Sequence, residues 1–304
     1  MSVASSVPPP PSPLRAWLLA TRPKTLPAAV APVALASALA FEEGVFALLP
    51  AILCLLFALL IQIGTNFAND YFDFVKGADT KERIGPARAV AAGWIAPQTM
   101  FRGMLVTFAL AFLSGLLLVP YGGLWLVAIG ILSILCGIAY TGGPYPLGYN
   151  GWGDVFVFVF FGLIATGFTY FVQAGAFSPL AWTLGIIPGA LASNILVVNN
   201  LRDVATDRTA GKRTLVVRLG VRFGEWQYRL SWLLCFVLTL YLSWQAQSLF
   251  PLLPWLLFFW AWKLSILLER SQGRGPRRWL FLLSSTAKFM SAFSLLLVIG
   301  LLLA

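Results

Sequence analysis

The stretch LLPAILCLLFALLIQIGTNFANDYFDFVKGAD, residues 48–79, runs a long apolar segment straight into a set of carboxylates. From Leu48 to Asn69 it carries no charge, a length that at about 1.5 Å per residue crosses roughly 30 Å of hydrocarbon. At its end Asn69, Asp73 and Asp79 make the pattern N-x3-D-x5-D. A second string, NNLRDVATD at residues 199–207, also follows an apolar run and sets Asn199, Asp203 and Asp207 as N-x3-D-x3-D. Steps of four place side chains on one helical face, one turn apart. Carboxylates at membrane-helix ends are costly, so a functional site is the first expectation for both strings.

The rest of the chain agrees with a membrane setting. Of its 304 residues 59% are hydrophobic and only 11% charged, where a soluble domain carries about 25%. The mean hydropathy is +0.84. The expectation is an all-α polytopic membrane protein, with about nine transmembrane helices in one bundle. These fall near 25–41, 45–72, 98–119, 122–141, 153–175, 180–203, 226–246, 250–268 and 281–303, and Pro188 with Gly189 could kink the sixth. Residues 1–13 are Ser- and Pro-rich and read as a disordered cytoplasmic tail, leaving 14–304 as a single domain. Leu14 to Leu19 suits a short interfacial segment, with Trp17 at headgroup level.

Charge sets the orientation. The connections after the second, sixth and eighth runs hold Lys76, Lys81, Arg83 and Arg88, then Arg208, Lys212, Arg213, Arg218 and Arg222, then Arg270, Arg274, Arg277 and Arg278. With nine spans all of these share a face with Arg15, Arg22 and Lys24, and the positive-inside rule makes that face cytoplasmic. The opposite connections hold Glu42 and Glu43 and no Lys or Arg. The net charge of +10 is thus mostly topology, and no nucleic-acid motif accompanies it. The second and sixth spans both end on the cytoplasmic side, so the two motifs can meet over one site.

The chemistry follows from the residue types. Histidine is absent, which removes imidazole ligands and bases, and Cys54, Cys136 and Cys235 lie in apolar runs at no ligand spacing. Asn69, Asp73, Asp79, Asn199, Asp203 and Asp207 offer oxygen alone, the donor set for Mg²⁺, which commonly binds through carboxylates and substrate phosphates. Lys76, Arg83 and Arg88 follow the first motif, and Arg202, Lys212 and Arg213 flank the second. Metal with Arg and Lys is the recurring clamp for charge growing on a phosphate leaving group. Asp70 points about 100° round the helix from Asn69 and suits a supporting role. Gly77 suits a helix stop. Tyr140 and Tyr149 are candidate walls of a ring-binding pocket.

These residues resemble the membrane-intrinsic aromatic prenyltransferases of the UbiA superfamily, whose members carry two Asp-rich motifs on the second and sixth of nine helices. The similar stretches are ATRPKTLPAAVAPV from Ala20, NFANDYFDFVKGADT from Asn66, RIGPARAV from Arg83, YTGGPYPLGYNGWGD from Tyr140 and NNLRDVATDRTAGKRTLVVRLG from Asn199. The last three spans match only in hydrophobicity. The five-residue gap before Asp79 resembles the branch that acts on 1,4-dihydroxy-2-naphthoate. By position, the resemblance implies metal–diphosphate binding by Asn69, Asp73, Asp79, Asn199, Asp203 and Asp207, with Asp73, Asp79, Asp203 and Asp207 as the catalytic carboxylates. It implies diphosphate contacts from Lys76, Arg83, Arg88, Arg202 and Lys212. The stretch from Tyr140 to Asp154 has no Lys or Arg, where several relatives have a cation. Arg22 or Lys24 would then hold the acceptor's carboxylate, with Tyr140, Tyr149 and Asp154 near the ring.

The implied reaction joins an allylic polyprenyl diphosphate to 1,4-dihydroxy-2-naphthoate in the bacterial inner membrane, with Mg²⁺ as the one cofactor. Other acceptors within the family are 4-hydroxybenzoate, homogentisate and haem B. A cation transporter with a carboxylate site is the reading from another class. Transporters usually bind at mid-membrane on broken helices, whereas these carboxylates sit at helix ends among cations that would repel a transported cation.

Overall fold

The computed structural model describes residues 11–78, 85 and 87–304. Among these the regular structure is entirely helical. A short helix, Pro13–Ala20, and a 3-10 turn, Pro23–Thr25, precede the longer elements. These are α1 Pro27–Glu42, α2 Leu48–Val75, α3 Pro97–Leu116, α4 Trp125–Ala139, α5 Gly153–Ala174, α6 Pro179–Thr209, α7 Val221–Gln245, α8 Phe250–Glu269 and α9 Pro276–Leu302. Each expected span falls on one of them. The short helix stands where the interfacial segment was expected. It begins at Pro13 itself, inside the stretch expected to be a tail, and residues 1–10 lie outside the described part.

Six of these elements are long and apolar enough to cross a membrane: α2, α3, α5, α6, α8 and α9. A seventh is added if the N-terminal pair, bent by 53°, counts as one span with α1. Two further expected spans, α4 and α7, are shorter or less apolar than these. α4 has 15 residues, about 22 Å of helix, less than the roughly 30 Å of a hydrocarbon core. Of the expected residues 122–141, Gly122 ends a separate short helix, Val119–Gly122, and Gly123 turns the chain at φ 88° before α4 begins. α7 is long enough at 25 residues, but Arg222, Glu225, Gln227 and Arg229 dilute its first three turns.

α6 is the axis of the bundle. It packs on α1, α5, α7 and α9, and most of its apolar length is buried. α6 runs without a break for 31 residues, with Pro188 inside it. Its packing on α5 is close. A Cβ on Gly162 would stand 2.5 Å from the Gly185 carbonyl oxygen, and one on Gly189 would stand 2.7 Å from the Phe158 carbonyl oxygen. Small residues let membrane helices approach to backbone contact, where dispersion replaces the missing hydrophobic drive. Opposite Gly189, the Val159–Ile164 turn of α5 is π-helical.

The other half of the bundle is built on α2. It packs chiefly on α3, and the N-terminal helix lies across both, with Trp17 edge-on to Phe67 at 5.2 Å. α2 and α6 stand on opposite walls of a central space, each bringing its acidic end to the same side of the bundle.

Candidate active site

α2 ends where the first motif begins to act. The backbone N–H of Ala78 donates to the Asp73 carbonyl at 2.9 Å, and Gly77 takes φ 66°, the left-handed stop expected of it. Asp70, 1% exposed, accepts the backbone N–H groups of Ala89 at 3.0 Å and Val90 at 3.1 Å. It thus docks the following loop against the helix, the supporting role expected of it. One turn on, Arg88 from that loop donates to Asp73 at 2.7 Å.

Two cavities meet at these helix ends. A polar one of about 210 Å³ is walled by Asn69, Asp73, Asn199, Asp203 and Asp207, with the cations Arg22, Arg88, Arg202 and Lys212. An apolar one of about 260 Å³ runs back between α1, α2, α4, α5 and α6. Asn69, Tyr140, Leu196 and Asn199 line both. A charged chamber therefore opens into a greasy one at a seam of two asparagines and a tyrosine.

Within the polar cavity Asp73 and Asp203 are already partnered. Asp73 accepts Arg88 on one oxygen, and on the other the Tyr149 hydroxyl at 2.6 Å, with the Lys212 amine at 3.6 Å. Arg202 grips Asp203 with two bonds, 2.7 and 2.6 Å. Among the described residues no group of three acids is placed to hold a metal. The donor set still fits a hard divalent ion, being oxygen only. Arg202 Nη1 is buried without a partner, a cationic N–H that an anion entering the cavity would satisfy.

Several expected site residues lie elsewhere. Lys76 is off the cavity wall, its amine held by the carbonyls of Thr141 at 2.6 Å and Gly143 at 3.2 Å. Burial pulls this amine below its usual pKa; Asp73 opposes that and Lys212 adds to it. Asp154 lines neither cavity and accepts Gln227 at 2.8 Å, so it ties α5 to α7. Lys24 also lines neither, while Arg22, in the left-handed region at φ 52°, reaches the polar wall. Asp79 and Arg83 lie outside the described residues. Thr141, which donates to Asn69 at 2.9 Å, was not anticipated; its one signal was its place directly after Tyr140.

The model of the UbiA prenyltransferase family matches residues 29–286. The chain belongs to that family. Its curated relatives include a 1,4-dihydroxy-2-naphthoate octaprenyltransferase of Escherichia coli, 45% identical over 68% of this chain and 69% of the relative. Another, from Mycobacterium tuberculosis, is 38% identical over 77% and 81%. Among solved structures, a UbiA homologue from Archaeoglobus fulgidus bound to DMAPP and Mg²⁺ has a TM-score of 0.63 at 15% identity, over 93% of this chain and 98% of that one. An apo UbiA homologue from Aeropyrum pernix also scores 0.63, at 12% identity over 90% and 97%. The chain is a multi-pass membrane prenyltransferase with the UbiA fold.

Proposed function

We propose that this chain transfers a polyprenyl group from an allylic polyprenyl diphosphate to 1,4-dihydroxy-2-naphthoate, giving demethylmenaquinol, diphosphate and carbon dioxide. The observation that carries this reading is the seam between the two cavities. A diphosphate head fits the charged chamber, its tail fits the apolar one, and the bond to be broken then lies at Asn69, Tyr140 and Asn199. Relatives named for the naphthoate reaction supply the acceptor.

Asn69, Asp73, Asn199, Asp203 and Asp207 would hold Mg²⁺, with Asp79 completing the set. When bound, the metal would offset the negative charge that grows on the departing diphosphate. Arg88, Arg202 and Lys212 grip the diphosphate oxygens, and Arg83 joins them in the proposal. The apolar walls exclude water, so the allylic cation left behind meets the ring rather than hydroxide. Its C1 then bonds to a ring carbon, and the ring carboxyl leaves as carbon dioxide. Arg22 on the polar wall is the proposed anchor for that carboxylate before it departs. The acidic face is cytoplasmic, following the placement of Lys and Arg.

The test is to incubate membranes containing the protein with Mg²⁺, a polyprenyl diphosphate and a panel of aromatic acids, then identify the lipid product. Prenylation of 4-hydroxybenzoate with dihydroxynaphthoate ignored would refute the acceptor.

A further inference from the structure

Asp73 is the most heavily partnered carboxylate of the polar cavity, and its partners are the groups expected to serve the substrate. Arg88 and Lys212, proposed here as diphosphate contacts, both stand on it. The third partner, Tyr149, was expected beside the acceptor ring and not on the diphosphate. Its hydroxyl donates to Asp73 Oδ1 at 2.6 Å, a charge-assisted bond of the short, strong kind. The tyrosine is fixed from three directions. The backbone N–H of Arg213 donates to its carbonyl at 2.6 Å, Lys212 lies 4.4 Å from its ring centre and Lys76 lies 5.2 Å from it. Cations over an aromatic face hold it electrostatically. The loop that carries Lys212 is therefore joined to Tyr149 by a backbone bond one residue away.

We infer that Tyr149 is a positioning residue that, with Arg88, occupies Asp73 in place of the metal, so that the site takes up a divalent cation only together with a diphosphate. This rests on the reading of the polar cavity as a metal–diphosphate site. A bare cation must displace the phenol and also share Asp73 with Arg88 and Lys212, whose charges repel it. A diphosphate gives those two cations a better partner and frees the carboxylate. Lys212, drawn toward the diphosphate, pulls on the loop that carries Arg213 and so on the phenol. Each ligand thereby removes a competitor of the other, and the coupling is reciprocal by linkage.

Equilibrium dialysis of the full-length protein in detergent, with Mn²⁺ as the probe and protein-free micelles as the blank, separates the possibilities. Wild type should bind Mn²⁺ at least ~10-fold tighter with methylene diphosphonate than without, a coupling of ordinary size for linked sites. Tyr149→Phe should tighten Mn²⁺ alone by ~10-fold or more, the scale of one lost charge-assisted hydrogen bond, and shrink the diphosphonate effect. Arg88→Gln should move Mn²⁺ alone in the same direction and serves if the first variant is unstable. Damage to the fold would weaken metal binding; only the removal of a competitor strengthens it. Equal wild-type Mn²⁺ affinity with and without diphosphonate overturns the inference while leaving the metal–diphosphate site standing. Unchanged or weaker Mn²⁺ binding in both variants overturns it likewise. No Mn²⁺ bound by any form, even with diphosphonate, overturns both readings.

Discussion

Asp70 accepts a hydrogen bond from the backbone N–H of Ala89 at 3.0 Å. That bond, with its neighbour from Val90, decides where Arg88 stands, because Ala89 is the next residue along the chain. Asp70→Ala would leave two buried N–H groups without an acceptor, at about 1–3 kcal/mol each. The variant should unfold at a lower temperature in detergent, and its KM for prenyl diphosphate should rise at least ~5-fold as Arg88 drifts, since that shift corresponds to about 1 kcal/mol. Asp70→Asn keeps an acceptor oxygen and should recover part of both. A normal KM in Asp70→Ala would separate the loop from the site.

The reach of the sequence can be judged from these residues. Asp73 and Asp203 were legible because spacing by four, after an apolar run, fixes both a helix face and a helix end. Where the Lys76 amine points was not legible, for a related reason. Its position beside the motif gives its distance along the chain, but the direction of a long flexible side chain is set by carbonyls 65 and 67 residues away. The bond between Tyr149 and Asp73 spans 76 residues and leaves no local pattern. The shortness of α4 turned on Gly123, whose positive φ no hydropathy window registers.

Lys76 now has a different expected phenotype from Lys212. Lys76→Met removes the bonds to Thr141 and Gly143 and should lower thermal stability, because those two carbonyls hold the turn after α4. Lys212→Met removes a cation on the cavity wall and should raise the KM for prenyl diphosphate, with little effect on unfolding. Parallel thermal melts and substrate titrations decide this. Identical behaviour of the two variants would return Lys76 to the substrate.

The glycine contact between α5 and α6 should be intolerant of bulk. Gly162→Ala places a Cβ 2.5 Å from the Gly185 carbonyl oxygen and 2.7 Å from Gly189 Cα, both backbone atoms that cannot swing aside. Overpacking of this kind typically costs about 1–3 kcal/mol. The helices must part, and Phe160 and Phe161 on the same turn line the tail cavity. Lower stability should therefore come with weaker use of long-tailed substrates. Wild-type melting of Gly162→Ala, followed by fluorescence or light scattering, would show that α5 and α6 are not packed to backbone contact.

Glu43 and Asp203 provide the contrast between a structural and a chemical carboxylate. Glu43 lies at the end of the bundle opposite the polar cavity and accepts the Tyr170 hydroxyl, tying the α1 end to α5. Glu43→Gln keeps an acceptor there, and activity should stay within about threefold of wild type, as for most substitutions away from special features. Asp203→Asn keeps size and polarity but gives up the anionic oxygens that Arg202 grips and that Mg²⁺ prefers. Turnover should fall at least ~100-fold, within the range for one lost charge-stabilising contact. The protein should remain folded, because Asp203 is on the cavity wall and not in the packed core. Adding Mg²⁺ should recover part of the loss if the defect is in metal binding, and a titration of turnover against Mg²⁺ reads this directly. Equal losses in the two variants would place the chemistry at the wrong end of the bundle.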